Sequence, residues 1–319
     1  MAYCLENRLV IGVSSRALFD LSVENEIFKG YGGISLNNGS NRFVKLSLRQ
    51  VEHEKELLKP GNGFRLIKAL LAINEMPGQE GRVEVIIMSH NSPDTSLRVF
   101  HSIAHYGLNI SRAVLASGAS LTPYLQAFQT DLYLSADEED VQAAINQGIA
   151  AGIICSDAIK TYDENEEISQ IKIAFDGDAV LFSDESERIY QEKGLEAFEE
   201  NERRLADHPL KAGPFAKFLK TLSEIQKDFP ALQSPIRTAL VTARSAPAHE
   251  RVIRTLRAWN VRIDEAFFLG GITKRDVLKA FGAHIFFDDQ AVHTNAAAEV
   301  VPSARVPYRK QEEKKARDP

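Results

Sequence analysis

Ile173-Ala-Phe-Asp-Gly-Asp-Ala-Val-Leu-Phe182 places two carboxylates, Asp176 and Asp178, directly after an apolar run and on either side of one glycine. The apolar run predicts a buried strand, and in an open α/β fold the carboxyl ends of the strands are where ligands bind. There, one acid can ligate a hard cation and attack an electrophile while the other handles protons. A strand running into an Asx-rich turn is the structural alternative.

Strand-like apolar runs alternate with helix-like periodic segments along the chain, which predicts an α/β fold with a parallel sheet of βαβ units. The predicted strands are Arg8–Val13, Val83–Met88, Arg112–Ala116, Leu132–Leu134, Ile171–Phe175, Thr238–Val241, Glu265–Leu269 and His284–Phe287. The predicted helices are Gly63–Asn74, Ser96–Tyr106, Pro123–Phe128, Glu138–Gly152, Pro214–Gln226, Ala248–Trp259 and Lys274–Phe281.

Composition limits the classes of protein and partner. With 319 residues, 44% of them hydrophobic and 26% charged, the chain has the length of about two globular domains. Its formal net charge of -6 gives no reason to expect nucleic acid or an anionic membrane as the main partner. The only two cysteines, Cys4 and Cys155, are far apart, which argues against a disulfide scaffold. Because neither a secretory signal nor a spanning apolar run is evident, we expect a cytoplasmic protein.

The two halves of the chain resemble each other. At an offset of 153 positions, Val85–Asp137 aligns with Thr238–Gln290 without a gap, and upstream 58–61 resembles 210–213. Two unrelated βα segments could share this much, because both need the same apolar spacing. We favour an ancient duplication, so that residues 1–165 would form an α/β repeat of the half at 166–308.

The aligned N-terminal half lacks the acids and the lysine of the C-terminal half. Ser14 and Arg16 align with the two aspartates of the first motif, Leu121 aligns with Lys274, and Ser135 aligns with Asp288. We therefore expect a non-catalytic copy. Two further segments have poor core composition: Gly30–Asn41, which predicts loop, and 309–319, which predicts a disordered tail.

Four chemically distinctive elements follow one another in the C-terminal half. They are Asp176-Gly-Asp178, a strand ending at Thr242, Lys274 at a helix start, and a strand ending in Asp288-Asp289. In one parallel sheet these strand ends gather at one edge. Taken singly, Thr242 could cap a helix and the acid pair could cap the next one. Together, and in this order, they favour a functional site.

This inventory suits phosphoryl transfer. Asp176 would be the nucleophile and Asp178 the acid and base, both catalytic. Mg²⁺ prefers oxygen ligands, which Asp176, the backbone carbonyl of Asp178, Asp288 and waters could supply. Thr242 and Lys274 would hold the phosphoryl oxygens and spread their charge.

The motifs resemble those of the haloacid dehalogenase-like (HAD) superfamily, and more closely those of the type I cytosolic 5′-nucleotidases. The stretches that carry this likeness are 13–20, 50–54, 130–137, Phe175–Glu187, Pro235–Ala246 and His284–Gln290. The resemblance implies a HAD-like Rossmannoid parallel sheet with a helical cap formed by the insertion at about 183–236. It also implies Mg²⁺-dependent hydrolysis of nucleoside 5′-monophosphates, with Asp176, Asp178, Asp288 and Asp289 around the metal. The chain departs from the family's pattern at Gly30–Leu48 and after Tyr308.

Three other residues are weaker candidates for substrate binding. Phe182 and Phe215 could stack on a base, although packing in the core is the stronger expectation for each. Arg244 could pair with phosphate in bidentate fashion or could be a solvated turn residue.

Other functions stay open at this point. The rivals are a HAD phosphatase for another small phosphoester, a nucleoside phosphotransferase, and a non-enzymatic scaffold. A homo-oligomer is also possible.

Overall fold

A computed structural model describes residues 4–24, 49–155 and 168–309. Within these ranges ten strands form one sheet in the order β3-β2-β1-β4-β5-β10-β9-β6-β7-β8. The strands are β1 (Leu9–Val13), β2 (Val83–Ser89), β3 (Arg112–Leu115), β4 (Leu132–Ser135), β5 (Ala150–Ile154), β6 (Ile171–Phe175), β7 (Ile236–Thr242), β8 (Glu265–Phe268), β9 (Ile285–Asp288) and β10 (Ser303–Arg305). Every pairing is parallel except that of β5 with β10. The predicted α/β fold is confirmed.

Helices connect these strands. They are α1 (Ser15–Leu18), α2 (Phe64–Ala72), α3 (Leu97–His105), α4 (Thr122–Ala127), α5 (Glu138–Asn146), α6 (Glu185–Arg204), α7 (Ala216–Lys227), α8 (His249–Ala258), α9 (Lys274–Phe281) and α10 (Ala291–Ala298). None of the helices in the described ranges is long and apolar enough to cross a membrane.

The helix α6 is a hairpin of two arms. Its chain reverses at Gly194, which has φ +82° and ψ −178°. Ser186 in the first arm donates a hydrogen bond of 2.9 Å to Glu202 in the second. In a straight helix, residues 16 positions apart would be separated by about 24 Å. The contact therefore requires the two arms to fold back on each other, and glycine permits the reversal because it has no Cβ.

One predicted helix is wrong in its extent. The segment expected to be helical over Glu138–Gly152 ends as a helix at Asn146, and Gly148 follows with φ +79°. Ala150–Ile154 is strand β5, which lies between β4 and β10. Because this strand is buried, its sequence Ala-Ala-Gly-Ile-Ile does not alternate between apolar and polar residues. The hydrophobic periodicity therefore could not distinguish the strand from a continuation of the preceding helix.

The two halves have the same strand order. In the first, the order is β3-β2-β1-β4-β5, and in the second β8-β7-β6-β9-β10 stand in the matching places. Val85–Met88 and Thr238–Val241 therefore occupy equivalent strands, β2 and β7, as the duplication requires. The two copies meet through β5 and β10.

Equivalent contacts reinforce this likeness between the halves. Gly61 donates from its backbone N–H to the carbonyl of Leu18 at 2.9 Å, and Gly213 does the same to Leu181 at 2.8 Å. The alignment of 58–61 with 210–213 thus corresponds to one shared backbone contact. Helices α2 and α7 follow these glycines in matching positions, and α7 packs on β7.

Cross-strand ion pairs are also repeated, with the charges exchanged. Glu84 pairs with Arg112 across β2 and β3 at 2.5 Å. Arg237 pairs with Glu265 across β7 and β8 at 2.6 Å. Both members of the second pair lie 153 positions after those of the first. The two copies thus keep one interaction with opposite polarity.

The main hydrophobic core contains residues of both halves, including Ile11, Leu125, Phe175 and Phe287, all at most 1% exposed. The strands are continuous across the junction of β5 and β10, so the halves share one sheet and one core. The predicted loop Gly30–Asn41 lies outside the described residues, as does the tail from 310 onward.

Candidate functional site

The polar residues of the four motifs come together at one sheet edge. Strand β6 lies between β7 and β9. Asp176 follows β6 directly, while Thr242 and Asp288 are the last residues of their strands. Lys274 is the first residue of helix α9. The expected convergence of strand ends is therefore present.

Lys274 bridges two buried carboxylates at the centre of this edge. Its Nζ lies 2.6 Å from Asp176 Oδ1 and 2.6 Å from Asp288 Oδ2. The side chains of all three residues are less than a tenth exposed. Burial works against the ammonium, but the two carboxylates outweigh it and raise the pKa of Lys274. The lysine is therefore a fixed positive charge.

The pKa of Asp176 lies well above its usual range. Burial is the main cause, Lys274 opposes it, and the nearby carboxylates of Asp288, Asp289 and Asp178 add to the rise. Burial and the neighbouring carboxylates together thus outweigh the effect of Lys274 on Asp176. A bound cation would favour the ionised form of Asp176.

Asp288 is held more firmly in its ionised form. It accepts hydrogen bonds from the backbone N–H of Gln290 at 2.9 Å and from Nδ1 of His293 at 3.2 Å. Burial alone would raise the pKa of Asp288, but His293 and Lys274 together lower it below the ordinary value. His293 was not a sequence candidate because it belongs to no recognised motif and reaches Asp288 only from helix α10.

The turn after β6 orients Asp178. Ala179 has φ +61°, which is uncommon for a residue with a side chain and indicates local strain. The matching turn of the N-terminal half, between Ser14 and Phe19, is one residue shorter than the turn between Asp176 and Phe182. Asp178 therefore has no strict counterpart in the other copy.

Arg244 clamps Asp178. Its Nε and Nη2 each lie 2.7 Å from an oxygen of Asp178, and its Nη1 lies 2.6 Å from Oε2 of Glu202. The guanidinium is buried, and all three of its nitrogens face carboxylates. The predicted bidentate pairing of Arg244 with phosphate is thus not the arrangement seen, because Asp178 takes the bidentate position. Glu202, in the charged insertion, gave no sequence signal.

Asp289 is bound by the C-terminal segment. Tyr308 Oη donates a short hydrogen bond to Asp289 Oδ2. Burial raises the pKa of Asp289 to about 6, although the tyrosine opposes the shift. Tyr308 lies beyond the last predicted motif, and only tertiary structure brings it to this edge.

Thr242 is buried in the turn at the end of β7. Its Oγ1 accepts from the backbone N–H of Arg244 at 3.2 Å. The next helix, α8, begins only at His249 and has Ala248 at its N-cap, so Thr242 does not cap it. The N-cap of α10 is Gln290, so neither Asp288 nor Asp289 is that residue.

Phe182 and Phe215 lie in the core. Both are 0% exposed. The ring of Phe215 is 4.7 Å from that of Phe287, and the ring of Phe182 is 5.5 Å from that of Trp259. The suggested stacking on a base is corrected here to a packing role, because neither ring has a face open to a ligand.

The donors at this edge suit a hard cation. In the part of the chain that the structure describes, no three His, Cys, Asp or Glu side chains form a preformed metal site. The available donors are nevertheless carboxylate oxygens, from Asp176, Asp288 and Asp289, which is the chemistry that Mg²⁺ prefers. The excess buried negative charge around Asp176 also fits a cation.

Comparisons with known proteins cover nearly the whole chain. The model of the 5′-nucleotidase family matches residues 1–313. Human cytosolic 5′-nucleotidase 1B is 38% identical over 302 residues, and the match covers 92% of this chain and 47% of that protein. The chain therefore spans about half the length of this relative. No solved structure matches.

Proposed function

The chain belongs to the 5′-nucleotidase family, and we propose that it hydrolyses nucleoside 5′-monophosphates to nucleoside and phosphate. The observation that carries the proposal is the buried Lys274 that bridges Asp176 and Asp288 at the carboxyl edge of the sheet. A carboxylate, an acid two residues later and a fixed cation at one edge are what transfer of a phosphoryl group to an aspartate needs.

In the first step, a carboxylate oxygen of Asp176 attacks the phosphorus, and the bond between phosphorus and the 5′-oxygen breaks. Protonated Asp178 gives its proton to that oxygen, so a neutral nucleoside leaves. Asp176 then carries the phosphoryl group as an aspartyl-phosphate.

In the second step, Asp178, now a carboxylate, takes a proton from water. The water oxygen attacks phosphorus, the bond to Asp176 breaks, and phosphate is released. Each residue returns to its starting state, so the cycle needs no co-reactant other than water.

Two hydrogen-bond donors of the site, Lys274 and Thr242, hold the phosphoryl oxygens during both steps. Lys274 has one N–H left after its contacts with Asp176 and Asp288, and Thr242 offers a hydroxyl beside the turn. Asp176, Asp288, Asp289 and the carbonyl of Asp178 are the groups that would hold Mg²⁺. When bound, Mg²⁺ supplies positive charge that balances these carboxylates and the phosphate dianion.

A phosphate-release screen over nucleoside monophosphates tests this proposal. We expect turnover with Mg²⁺ and its loss after exhaustive chelation with EDTA, followed by recovery when Mg²⁺ is returned. Asp288→Asn should raise the Mg²⁺ concentration needed for half-maximal activity by about 10-fold or more, because a charged oxygen ligand is lost. Turnover that survives chelation would remove the metal from the mechanism.

The same screen separates the rival functions. Other small phosphoesters are included, and reactions are repeated with an acceptor nucleoside. Preference for a phosphoester that is not a nucleotide would overturn the substrate assignment. Transfer to the acceptor in preference to water would indicate a phosphotransferase, and the absence of any phosphate release would leave a scaffold.

A further inference from the structure

The acid group of the proposed mechanism is held by Arg244, two residues after Thr242. Both oxygens of Asp178 are bound by Arg244, through Nε and Nη2 at 2.7 Å each. The orientation of Asp178 therefore depends on where the guanidinium lies. The remaining guanidinium nitrogen that forms a contact, Nη1, points to Glu202 at 2.6 Å.

Glu202 is the centre of this ion network. Its side chain is 0% exposed. While Oε2 faces Arg244, Oε1 accepts from Arg251 Nη1 at 2.9 Å and from Ser186 Oγ at 2.9 Å. One carboxylate thus separates two buried guanidinium groups. A buried charge is tolerated when it is paired and fully hydrogen-bonded, and Glu202 meets both conditions.

The second arm of the α6 hairpin presents two groups to Arg244. Phe198 and Glu202 are four positions apart, so they lie on one face of the helix. The guanidinium carbon of Arg244 is 5.3 Å from the centre of the Phe198 ring. The ring and the carboxylate together confine the guanidinium.

The guanidinium of this clamp has no counterpart at the aligned position of the N-terminal copy. Asn91 lies 153 positions before Arg244. Its backbone N–H donates to Ser89 Oγ at 3.1 Å, as that of Arg244 donates to Thr242 Oγ1 at 3.2 Å. The turn is therefore shared by both copies, but only the copy that has the acids places a guanidinium on it.

We propose that Glu202 is a positioning residue for Asp178, acting through Arg244, and that the α6 hairpin thereby sets the geometry of proton transfer. Without the carboxylate of Glu202, the two buried guanidinium groups of Arg244 and Arg251 would be balanced by Asp178 alone. Arg244 would then shift and carry Asp178 away from the leaving oxygen. This inference rests on the proposed function, in which Asp178 supplies the proton.

The test compares a leaving group that needs a proton with one that does not. With enzyme in excess over substrate, the first turnover of Glu202→Gln is followed by release of nucleoside from a nucleoside 5′-monophosphate. Release of p-nitrophenol from p-nitrophenyl phosphate is followed in parallel, and its aryl oxide leaves without needing a proton. We expect nucleoside release to slow by roughly 10–100-fold and p-nitrophenol release by less than about 3-fold.

A merely structural role would slow both reactions alike, and that result would overturn the inference, as would unchanged nucleoside release. Glu200→Gln is the matched control, because Glu200 is an exposed acid on the same arm, and it should leave both rates unchanged. If Glu202→Gln does not fold, Phe198→Leu loosens the guanidinium without removing a charge. Phe198→Leu should slow nucleoside release more than p-nitrophenol release, by a smaller factor than Glu202→Gln. An equal slowing of both reactions would again overturn the inference.

Asp178→Asn distinguishes a failure here from a failure of the proposed function. If Asp178→Asn itself shows no selective loss of nucleoside release, the acid assignment is wrong. If Asp178→Asn shows the selective loss and Glu202→Gln does not, only the inference about Glu202 is wrong.

Discussion

At the scale of single residues, the two copies hold different side chains on the same backbone frame. The N–H of Ser14 donates to the carbonyl of Leu134 at 2.9 Å, and that of Asp176 donates to Phe287 at 2.8 Å. The hydroxyl of Ser14 caps helix α1 by accepting from Ala17. The same position therefore serves structure in one copy and is assigned the nucleophile in the other.

Asp176→Asn should abolish turnover while leaving the fold intact. An amide cannot form the aspartyl-phosphate, so kcat should fall on the order of 10³-fold or more. Ser14→Ala is the matched control at the equivalent place. It should cost about 1 kcal/mol of stability through loss of the cap and leave kcat nearly unchanged. Near-normal kcat in folded Asp176→Asn would refute the assignment of the nucleophile.

His284 should make stability depend on pH. Burial lowers the pKa of His284 to about 4 from the ordinary 6.5, and its Nδ1 accepts from the backbone N–H of Lys172. Because the folded-state pKa lies below the unfolded value, the unfolded chain binds more protons between these values. Stability is therefore complete above pH 6.5 and falls as the pH drops towards 4.

The measurement is urea unfolding at pH 7.5 and pH 5. After allowance for partial exposure, His284 should account for roughly 1–2 kcal/mol of the loss on acidification. His284→Asn keeps a hydrogen-bond acceptor at this position but removes the titrating imidazole. At the equivalent place in the N-terminal half, Asp131 is the acceptor for the backbone N–H of Val10. The variant should lose less stability than the parent, and equal losses in both would contradict the prediction.

At the scale of elements, the backbone of the turn after the first strand of each copy packs closely against a glycine. A Cβ on Gly213 would lie 2.3 Å from the carbonyl oxygen of Phe182 and 2.5 Å from that of Val180. On Gly61 it would lie 2.9 Å from the carbonyl carbon of Phe19. Val180 and Phe182 belong to the turn that carries the site, so the close approach of Gly213 helps to fix its shape.

Gly213→Ala should destabilise the protein by about 1–3 kcal/mol, because the added methyl group overlaps backbone that has no freedom to move aside. Gly61→Ala should cost less, since its nearest contact is longer. Thermal unfolding followed by circular dichroism measures both. Ala212→Ser, at the exposed neighbour, is the control and should change the midpoint little. A variant of Gly213 as stable as that control would contradict the packing argument.

The α6 hairpin lies between the turn after β6 and helix α7. Helix α7 corresponds to α2 and belongs to the shared βα frame. We therefore propose that the cap predicted at about 183–236 is confined to the α6 hairpin and its connection. Its buried Glu202 and Ser186 face the site or each other, whereas its outer face is charged and exposed.

At the scale of the whole molecule, one sheet and one core unite the two copies. The junction is close: a Cβ on Gly152 of β5 would lie 2.9 Å from the Cβ of Ala304 of β10. The N-terminal copy is therefore in direct contact with the C-terminal copy. A non-catalytic role in stability is our proposal for the N-terminal half.

Leu125→Ala tests whether the copies unfold together. Leu125 is 1% exposed, and its truncation should cost roughly 2–5 kcal/mol. Trp259, the only tryptophan, lies in the other half. Its fluorescence should report the same lowered urea midpoint as far-ultraviolet circular dichroism. The control Gln126→Ala, at an exposed position, should change stability by less than about 0.5 kcal/mol. A tryptophan transition unmoved by Leu125→Ala would mean that the copies unfold separately.

Local pattern was enough to predict the αβ alternation and the strand ends that carry Asp176, Thr242 and Asp288. The hydrophobic periodicity of a strand or a helix is visible in a short stretch of sequence. In a parallel sheet the carboxyl ends of the strands meet at one edge, and this does not depend on the rest of the sequence. The similarity between Val85–Asp137 and Thr238–Gln290 was also detectable from the sequence, because repeated βα units have the same spacing of apolar residues.

Tertiary structure alone decided the partners of those residues. Glu202 and Tyr308 reach the site from a charged hairpin and from the C-terminal segment, and neither has a local pattern that marks it. Arg244 could be read from sequence as a phosphate ligand, but its guanidinium binds whichever anion the fold brings nearest, and that anion is Asp178. Strand β5 was missed for a related reason: a short buried run becomes a strand only when neighbouring strands satisfy its backbone.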